Sequence, residues 1–450
     1  MKSGMRSGIA VLALLQSIPA WADQFHYNNV ILGDRAMGLA GAYAGISDDA
    51  SGVFYNPGGL GFALSNDISG SANAFYKKQA TYKKTIGSED FTENSAGSLA
   101  PFFGGLQKLD NISPGLVFAF GIFSRDSELK DQDDTIIASN LGIERFHRAV
   151  NLRAATTGMG AAVAKRITNS FSVGLGLAWL SVDELTQEYQ DVVSRVYDGT
   201  TGSYKTTTTT SGQESYIYRI LTQNIRQRLT SSAFEPSLGF QWAASQKLSF
   251  GANFKFPQAV SQNFENNIEQ TSGYVDGELT VVRDSNHVEE GTGKLGRVLV
   301  DAEVEEPIEW ASEMRFGVAY FHSQRFLWTF DVTQHGETKG DVAQYDREAV
   351  TNFQSGMEYY ITPSVPVRVG AFTNNDARPQ LSKSKLNQRD HVDYTGMSLF
   401  FAWVQPNSQV ALGSIVQMGK GEAQKISNSS KIQDVEAFAT TVAFSATHSF

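Results

Sequence analysis

Four basic residues, Arg153, Lys255, Arg315 and Arg368, lie in segments that alternate between apolar and other residues, and alternation places each opposite the apolar face. A cation there, inside an apolar slot, could anchor the carboxylate of an amphipathic molecule. The competing role is structural, because Asp331, Glu313 and Glu358 fall on the same kind of face and could pair with these cations. Little other chemistry is encoded. The 7 histidines are scattered without HExxH spacing, no GxSxG elbow occurs, and no metal-ligand cluster forms along the chain. No catalytic residue, metal or cofactor is therefore expected; a Ser/His/Asp set assembled from distant strands is the one enzymatic alternative. The run GLGLAW at Gly174 to Trp179 reads as a strand with small inward residues.

The elements that must position these cations are β-strands. LSFGANFKF sets Leu248, Phe250, Ala252, Phe254 and Phe256 against Ser249, Gly251, Asn253 and Lys255. EMRFGVAYF sets Met314, Phe316, Val318 and Tyr320 against Glu313, Arg315, Gly317 and Ala319. FLWTFDVTQ opposes Phe326, Trp328, Phe330 and Val332 to Thr329, Asp331 and Thr333. A soluble sandwich would bury the second face, yet small, polar and charged residues occupy it. A lipid-facing surface around a wet or plugged lumen accounts for both faces. The last segment, AFATTVAFSATHSF, puts Phe438, Thr440, Val442, Phe444, Ala446 and Phe450 on one face, and a terminal aromatic suits the membrane interface.

Connections follow the same plan. Short turns are expected at Arg166 to Asn169, Ala244 to Lys247, His322 to Arg325, Thr362 to Val365 and Gln405 to Ser408. Between them lie long polar stretches, Asp126 to Arg145, Gln190 to Gln227, Gln262 to Glu306, Gly336 to Glu348 and Asn374 to Asp390, read as external loops. Counting hairpins from Asn66 predicts a transmembrane antiparallel β-barrel of roughly fourteen strands, an even number that returns both termini to one side. The Thr206 to Thr210 run and the acidic DAEVEEPIEW read as solvated loop; divalent-cation or lipopolysaccharide bridging by Glu303, Glu305 and Glu306 is the alternative.

Lys2 and Arg6 precede an apolar run from Ile9 to about Ala20, and Ala20-Trp21-Ala22 offers a cleavage site, so residues 1–22 read as a signal peptide. No later stretch approaches the ~18 apolar residues of a membrane helix. An exported chain with no cysteine cannot be a disulfide scaffold, and a net charge of −10 argues against a nucleic-acid partner. The mean hydropathy of −0.25 does not separate a soluble protein from a barrel with a polar lumen.

Residues 23–65 do not alternate. They are rich in Gly and Ala, carry the breaker NPGG at Asn56 to Gly59, and should form a compact irregular piece ahead of a barrel over 66–450. A lumen this wide is not filled by its own side chains, which makes a plug the natural role. Here the chain resembles the FadL/TodX family of outer-membrane transporters for long-chain fatty acids and aromatic hydrocarbons. Gly38, Gly41, Ala42 and Tyr43 stand where that family has G-x-x-G-A-Y. Asp48, Asp49, Ala50 and Ser51 match D-D-A-S, and Tyr55, Asn56, Pro57, Gly59 and Leu60 match Y-N-P-A-G-L, with Gly58 in place of the usual alanine. EPSLGFQWAASQKLSFGANFKF and GMEYYITPSVPVRVGAFTNN resemble its strands, whereas the long loops match nothing.

The resemblance implies a fourteen-stranded barrel closed by an N-terminal hatch, ligand binding among the external loops and then in the lumen, and lateral release beside an inward kink of the third strand. It also implies that barrel-insertion machinery reads Phe450, although His448 departs from the usual apolar residue, and that Phe25 stands near where the family's chain start reaches the ligand. The third strand, GLVFAFGIF, is apolar on both faces, with Leu116, Phe118, Phe120 and Ile122 on one and Val117, Ala119, Gly121 and Phe123 on the other. It could face an apolar passage or pack against the hatch. The expected ligand contacts are Phe25, Phe118, Phe120, Arg153, Arg315 and Arg368, and the gating residues are Asn56, Pro57, Gly58, Gly59 and Gly121, with NPGG lying against the third strand. The function expected is passive uptake of hydrophobic compounds, by loop and lumen binding, hatch movement and lateral release, through a monomer in the outer membrane of a Gram-negative bacterium, touching membrane lipid and lipopolysaccharide. A surface-interaction barrel with a closed lumen is the rival.

Overall fold

The computed structural model describes residues 25–86, 88–280, 296–385, 388–425 and 430–450; the expected signal peptide over 1–22 lies outside them. Sixteen hydrogen-bonded segments form one antiparallel sheet that closes on itself. Two strands are each broken in half, so the barrel has fourteen. These are β1 (Asp67–Ile86), β2 (Glu89–Lys108), β3 (Leu116–Ala138), β4 (Ile143–Arg166), β5 (Phe171–Arg195) and β6 (Tyr218–Ala243). β7 comprises Leu248–Lys255 and Gln258–Val275, and β8 comprises Gly296–Val304 and Glu313–Ser323. β9 (Phe326–His335), β10 (Val350–Thr362), β11 (Val365–Asn374), β12 (His391–Gln405), β13 (Ser408–Ala423) and β14 (Gln433–Ser449) complete the wall. β14 pairs with β1 from Asp67↔Ser449 to Tyr82↔Val435, which leaves no edge at the closure. No described helix is long and apolar enough to cross a membrane.

The alternation is realised as expected. Phe250, Met314, Phe316, Met357, Phe401, Phe438 and Phe444 are exposed on the outside of the barrel, while Asn253, Lys255, Arg315, Asp331 and Arg368 are buried inside it. The five predicted short turns are all present.

The long polar stretches differ from expectation. Asp126 to Arg145 is largely strand, its two arms paired from Asp126↔Thr156 to Ala138↔Ile143. β5 runs to Arg195, β6 begins at Tyr218, and much of Gln262 to Glu306 is paired with β6 or itself. β3 to β6 are 23, 24, 25 and 26 residues long, about twice the ~9–11 needed to cross a bilayer. Polarity on both faces resembles loop composition, but a hairpin partner satisfies the backbone whatever the side chains are. These strands form a sheet rising beyond the apolar band. In β7, Pro257 interrupts the ladder because it has no N–H to give.

The core sits inside the barrel. Leu32, Leu39, Tyr43, Phe54 and Leu60 of the N-terminal segment cluster with Phe102, Leu106, Val117, Phe123 and Leu180 of the wall, so apolar surface is buried against the chain's own N-terminal segment rather than between two layers.

Candidate functional site

Residues 25–64 hold two short helices, α1 (Asp34–Gly38) and α2 (Gly52–Tyr55), and a 3₁₀ turn at Pro57–Phe62. Gly33, before α1, has φ 79°, and Ser51 occupies the space a side chain there would need. Asp49 accepts from Ser51 N at 2.8 Å and lies 2.8 Å from the Tyr43 hydroxyl. Burial, then Asp49 and Asp48, hold the Tyr43 hydroxyl well above its ordinary range, and burial likewise raises Asp49. Asn56 caps the 3₁₀ turn through Gly58 N (2.9 Å) and donates to the carbonyls of Ala44 and Phe240, both at 2.9 Å. The segment's fold and its seat on the wall thus share one amide.

That seat is a belt of wall glycines which the sequence reading missed. Gly174 of β5 and Gly239 of β6 meet Pro57 and Gly58, Gly251 of β7 meets the Ala44 carbonyl, and Gly317 of β8 meets Gly45. On β10 a Cβ at Gly356 would lie 2.7 Å from Leu39 Cα, and on β11 one at Gly370 would lie 2.8 Å from Ala40 N. On β9 the place is taken by Asp331, which accepts from Tyr43 N at 3.0 Å and Ala44 N at 2.8 Å. The available signal was a glycine at an inward position of successive strands, where backbone can approach backbone. The belt also corrects the expected seat of NPGG: Asn56, Pro57 and Gly58 lie against β5 and β6 rather than the third strand, and Gly59 packs on Ser47 and Ile46 within the segment itself.

Most of the predicted cations are structural fixings of this segment. Arg368 is 1% exposed, donates to Glu358 at 2.7 Å and reaches Asp34 of α1 at 3.3 Å. Glu358 also receives Arg35 at 2.7 Å. Arg315 donates to the Gly41 carbonyl at 3.3 Å and lies over the Tyr55 ring at 5.1 Å. Lys255 pairs with Glu313 at 3.0 Å and stands 4.0 Å from the centre of the Phe54 ring. Arg153 is a correction, since it is exposed on the outer face beside buried Leu152 and Ala154, and the inward cation of β4 is Arg148, paired with Glu188 and Glu93. Small residues on both faces of β4 left its alternation without contrast.

Removing one partner of a dry, paired network strands the other. Arg368→Met is therefore expected to lower unfolding stability in lipid vesicles by about 3–5 kcal/mol, and Arg368→Met with Glu358→Gln by less than the sum of the two single changes. Urea titration of the folded barrel measures both.

Phe25 is fully buried at the other end of the segment, among Val182, Leu229, Phe264 and Ile308. The guanidiniums of Arg378, Arg347 and Arg389 lie 4.8, 5.5 and 5.6 Å from its ring centre. Burial pulls Arg389, in the loop before β12, down to about 10. Among the described residues no group of three or more His, Asp or Glu is placed to hold a metal ion.

The third strand corrects two expectations and carries the main finding. Phe118, Phe120 and Ile122 point outward, 36%, 42% and 54% exposed, while Val117, Ala119 and Phe123 pack inward on the N-terminal segment, so neither Phe118 nor Phe120 lines the lumen. Gly121 is in register with both Gly104 and Gly160 and is not a point of distortion. The irregularity lies just beyond, where the β3–β4 register shifts between Ser124 and Asp126.

At the same height β3 leaves β2. Their ladder among the described residues runs only from Lys108↔Val117 to Phe102↔Phe123, although β2 stays paired with β1 up to Ile86↔Glu89. Pro101 has no N–H for the next rung. Higher up, side chains reach across: Gln132 donates to Thr92 O at 2.8 Å and accepts from Asn94 N, and Lys130 pairs with Glu93 at 2.9 Å. Between these limits is a narrow cavity of about 30 Å³, bordered inside by Asn29 and Val30 and at the wall by Tyr76, Gly97, Glu128 and Leu129. Tyr76 pairs with both Gly97 and Thr441, which sets the gap level with the exposed Phe438 and Val442 of the apolar band.

No protein-family model matches the sequence, and no curated protein matches it in sequence. Solved structures do match in fold. A Pseudomonas aeruginosa FadL homologue superposes with a TM-score of 0.57 at 11% identity, over 96% of this chain and 100% of its own. The P. putida toluene transporter TodX gives 0.56 at 12% over 93% and 98%. The Ralstonia pickettii toluene transporter TbuX gives 0.55 at 12% over 94% and 99%. The likeness spans whole chains and establishes a shared barrel fold.

Proposed function

We propose that this barrel sits in the outer membrane of a Gram-negative bacterium and admits hydrophobic compounds passively. The ligand is taken up from the raised strands and loops into the lumen, meets residues 25–65 acting as a hatch, and leaves sideways between β2 and β3 into the bilayer. The observation that carries this reading is the parting of those strands above Phe102 and Phe123, with a narrow cavity there lined by Val30 and Leu129. The belt of glycines and the Arg368 network argue that the hatch stays seated, which makes a side exit the shorter route. Fold likeness to transporters of toluene agrees with hydrophobic cargo. In this reading a monomer suffices because the ladder closes on itself, the outer band meets lipid and lipopolysaccharide, Phe450 is offered to the assembly machinery, and the chain itself makes or breaks no bond.

Uptake of labelled oleate and of labelled toluene, measured in cells lacking their own hydrophobic channels, tests the proposal. Expression of the chain is expected to raise at least one of the two. Equal rates with and without correctly folded barrel at the surface, for both probes, would leave the closed surface barrel as the better account.

A further inference from the structure

The extra residue that shifts the β3–β4 register is Arg125, flanked by Ser124↔Thr157 and Asp126↔Thr156. A bulge of this kind redirects the side chain it carries. Here the guanidinium turns into the lumen and pairs with Glu235 of β6, three strands away around the wall, whose carboxylate is buried. On its way it covers two rings, Phe54 of the N-terminal segment at 5.4 Å and Phe123 of β3 at 5.7 Å. Those rings are themselves edge to face at 5.4 Å. Phe123 is the last β3 residue paired with β2, so the pair acts one rung from the point where the wall opens.

The bulge has a second effect. Below it the buried residues of β3 are Val117, Ala119 and Phe123; above it they are Ser124, Asp126, Glu128 and Lys130, so the inward parity reverses. Leu129 is thereby turned to the outside and Glu128 to the space behind the gap.

We infer that the Arg125–Glu235 ion pair is a strut that draws β3 inward across Phe54 and so sets the width of the gap between β2 and β3. Among the described residues no ladder joins Ser95–Leu99 to Ser124–Leu129, although two facing strand edges gain by pairing with one another, so something must hold them apart. Pro101 removes a single rung, whereas a buried, charge-assisted contact to a distant strand fixes where the whole edge lies. Arg125 and Glu235 are then positioning residues: neither needs to touch the cargo. This inference rests on the side-exit reading for its consequence, but not for its geometry.

The two are separable by experiment. Spin labels on Gly97→Cys and Leu129→Cys report the gap directly, since the chain has no native cysteine. In Arg125→Met the label distance is expected to shorten toward the ~5 Å strand spacing of a paired ladder, with loss of most uptake of the hydrophobic probe. Glu235→Gln, which keeps size and a hydrogen-bonding group, should do the same more weakly. The exchange Arg125→Glu with Glu235→Arg should restore both distance and uptake, a rescue that a merely space-filling role would not produce. An unchanged distance in both single variants, with the barrel folded, overturns the strut. A shortened distance with undiminished uptake upholds the strut and rejects the side exit.

Discussion

Bridging positions 97 and 129 is expected to abolish hydrophobic uptake while leaving the barrel folded. Gly97 and Leu129 face each other across the gap, and a Cβ built on Gly97 would lie 3.6 Å from Leu129 Cδ1. Gly97→Cys with Leu129→Cys, joined by a short bifunctional thiosulfonate, would tie β2 to β3 where no backbone ladder does. The size of the effect follows from the alternative route. A ligand of roughly ten methylenes forced out through water instead of the bilayer faces about 8 kcal/mol, at ~0.8 kcal/mol per methylene. Uptake should return when reductant cleaves the bridge. The control is Leu129→Cys with Arg153→Cys, because Leu129 and Arg153 are already paired neighbours on β3 and β4 and a bridge there leaves the gap open. Undiminished uptake in the bridged 97/129 protein would remove the side exit from the mechanism.

The second large effect is expected at the glycine belt. At Gly251 the inward space is taken by the Ala44 carbonyl, and Asn56 Nδ2 would lie 2.9 Å from an added Cβ. Overpacking a core usually costs about 1–3 kcal/mol because side chains can yield. Here the obstacle is backbone on both sides, held by Asn56 and Asp331. Gly251→Val should therefore exceed that range and either block folding or expel the N-terminal segment from the lumen. Expulsion would show as entry of large hydrophilic antibiotics and as protease access to residues near Tyr43. Gly70→Val is the matched control, since the nearest atoms to a Cβ at Gly70 are 3.8 Å away. If Gly251→Val resists urea as well as Gly70→Val does and admits no large solute, the belt does not seat the segment.

Much of the architecture was legible along the chain because an apolar outer face around a polar lumen is a local rule. An apolar outside and a polar inside force a period of two, so the outward Phe250, Phe316 and Phe444 and the inward Lys255, Arg315 and Arg368 follow from their neighbours alone. The short turns and the strand count followed, and the non-alternating start marked the segment that the barrel encloses. The rule fails where its cause is absent. β4 has small residues on both faces, which hid the outward turn of Arg153, and the polar halves of β3 to β6 stand beyond the apolar band, where strand and loop have similar composition.

Only the tertiary structure decided the rest, because it depends on which strands meet. Whether β2 pairs with β3 above Phe102 is settled by Pro101, by a one-residue register shift at Arg125, and by an acid 110 residues further on. The same shift reverses inward parity along β3, so a face assigned to its first half says nothing of its second. The glycines of the belt are legible one by one as small inward residues, but their meaning requires the backbone of Ala44, Gly45 and Gly58 lying against them. Alternation is set by the solvent on each side of a strand; openings and seats are set by contacts between residues far apart in the chain, which no local pattern records.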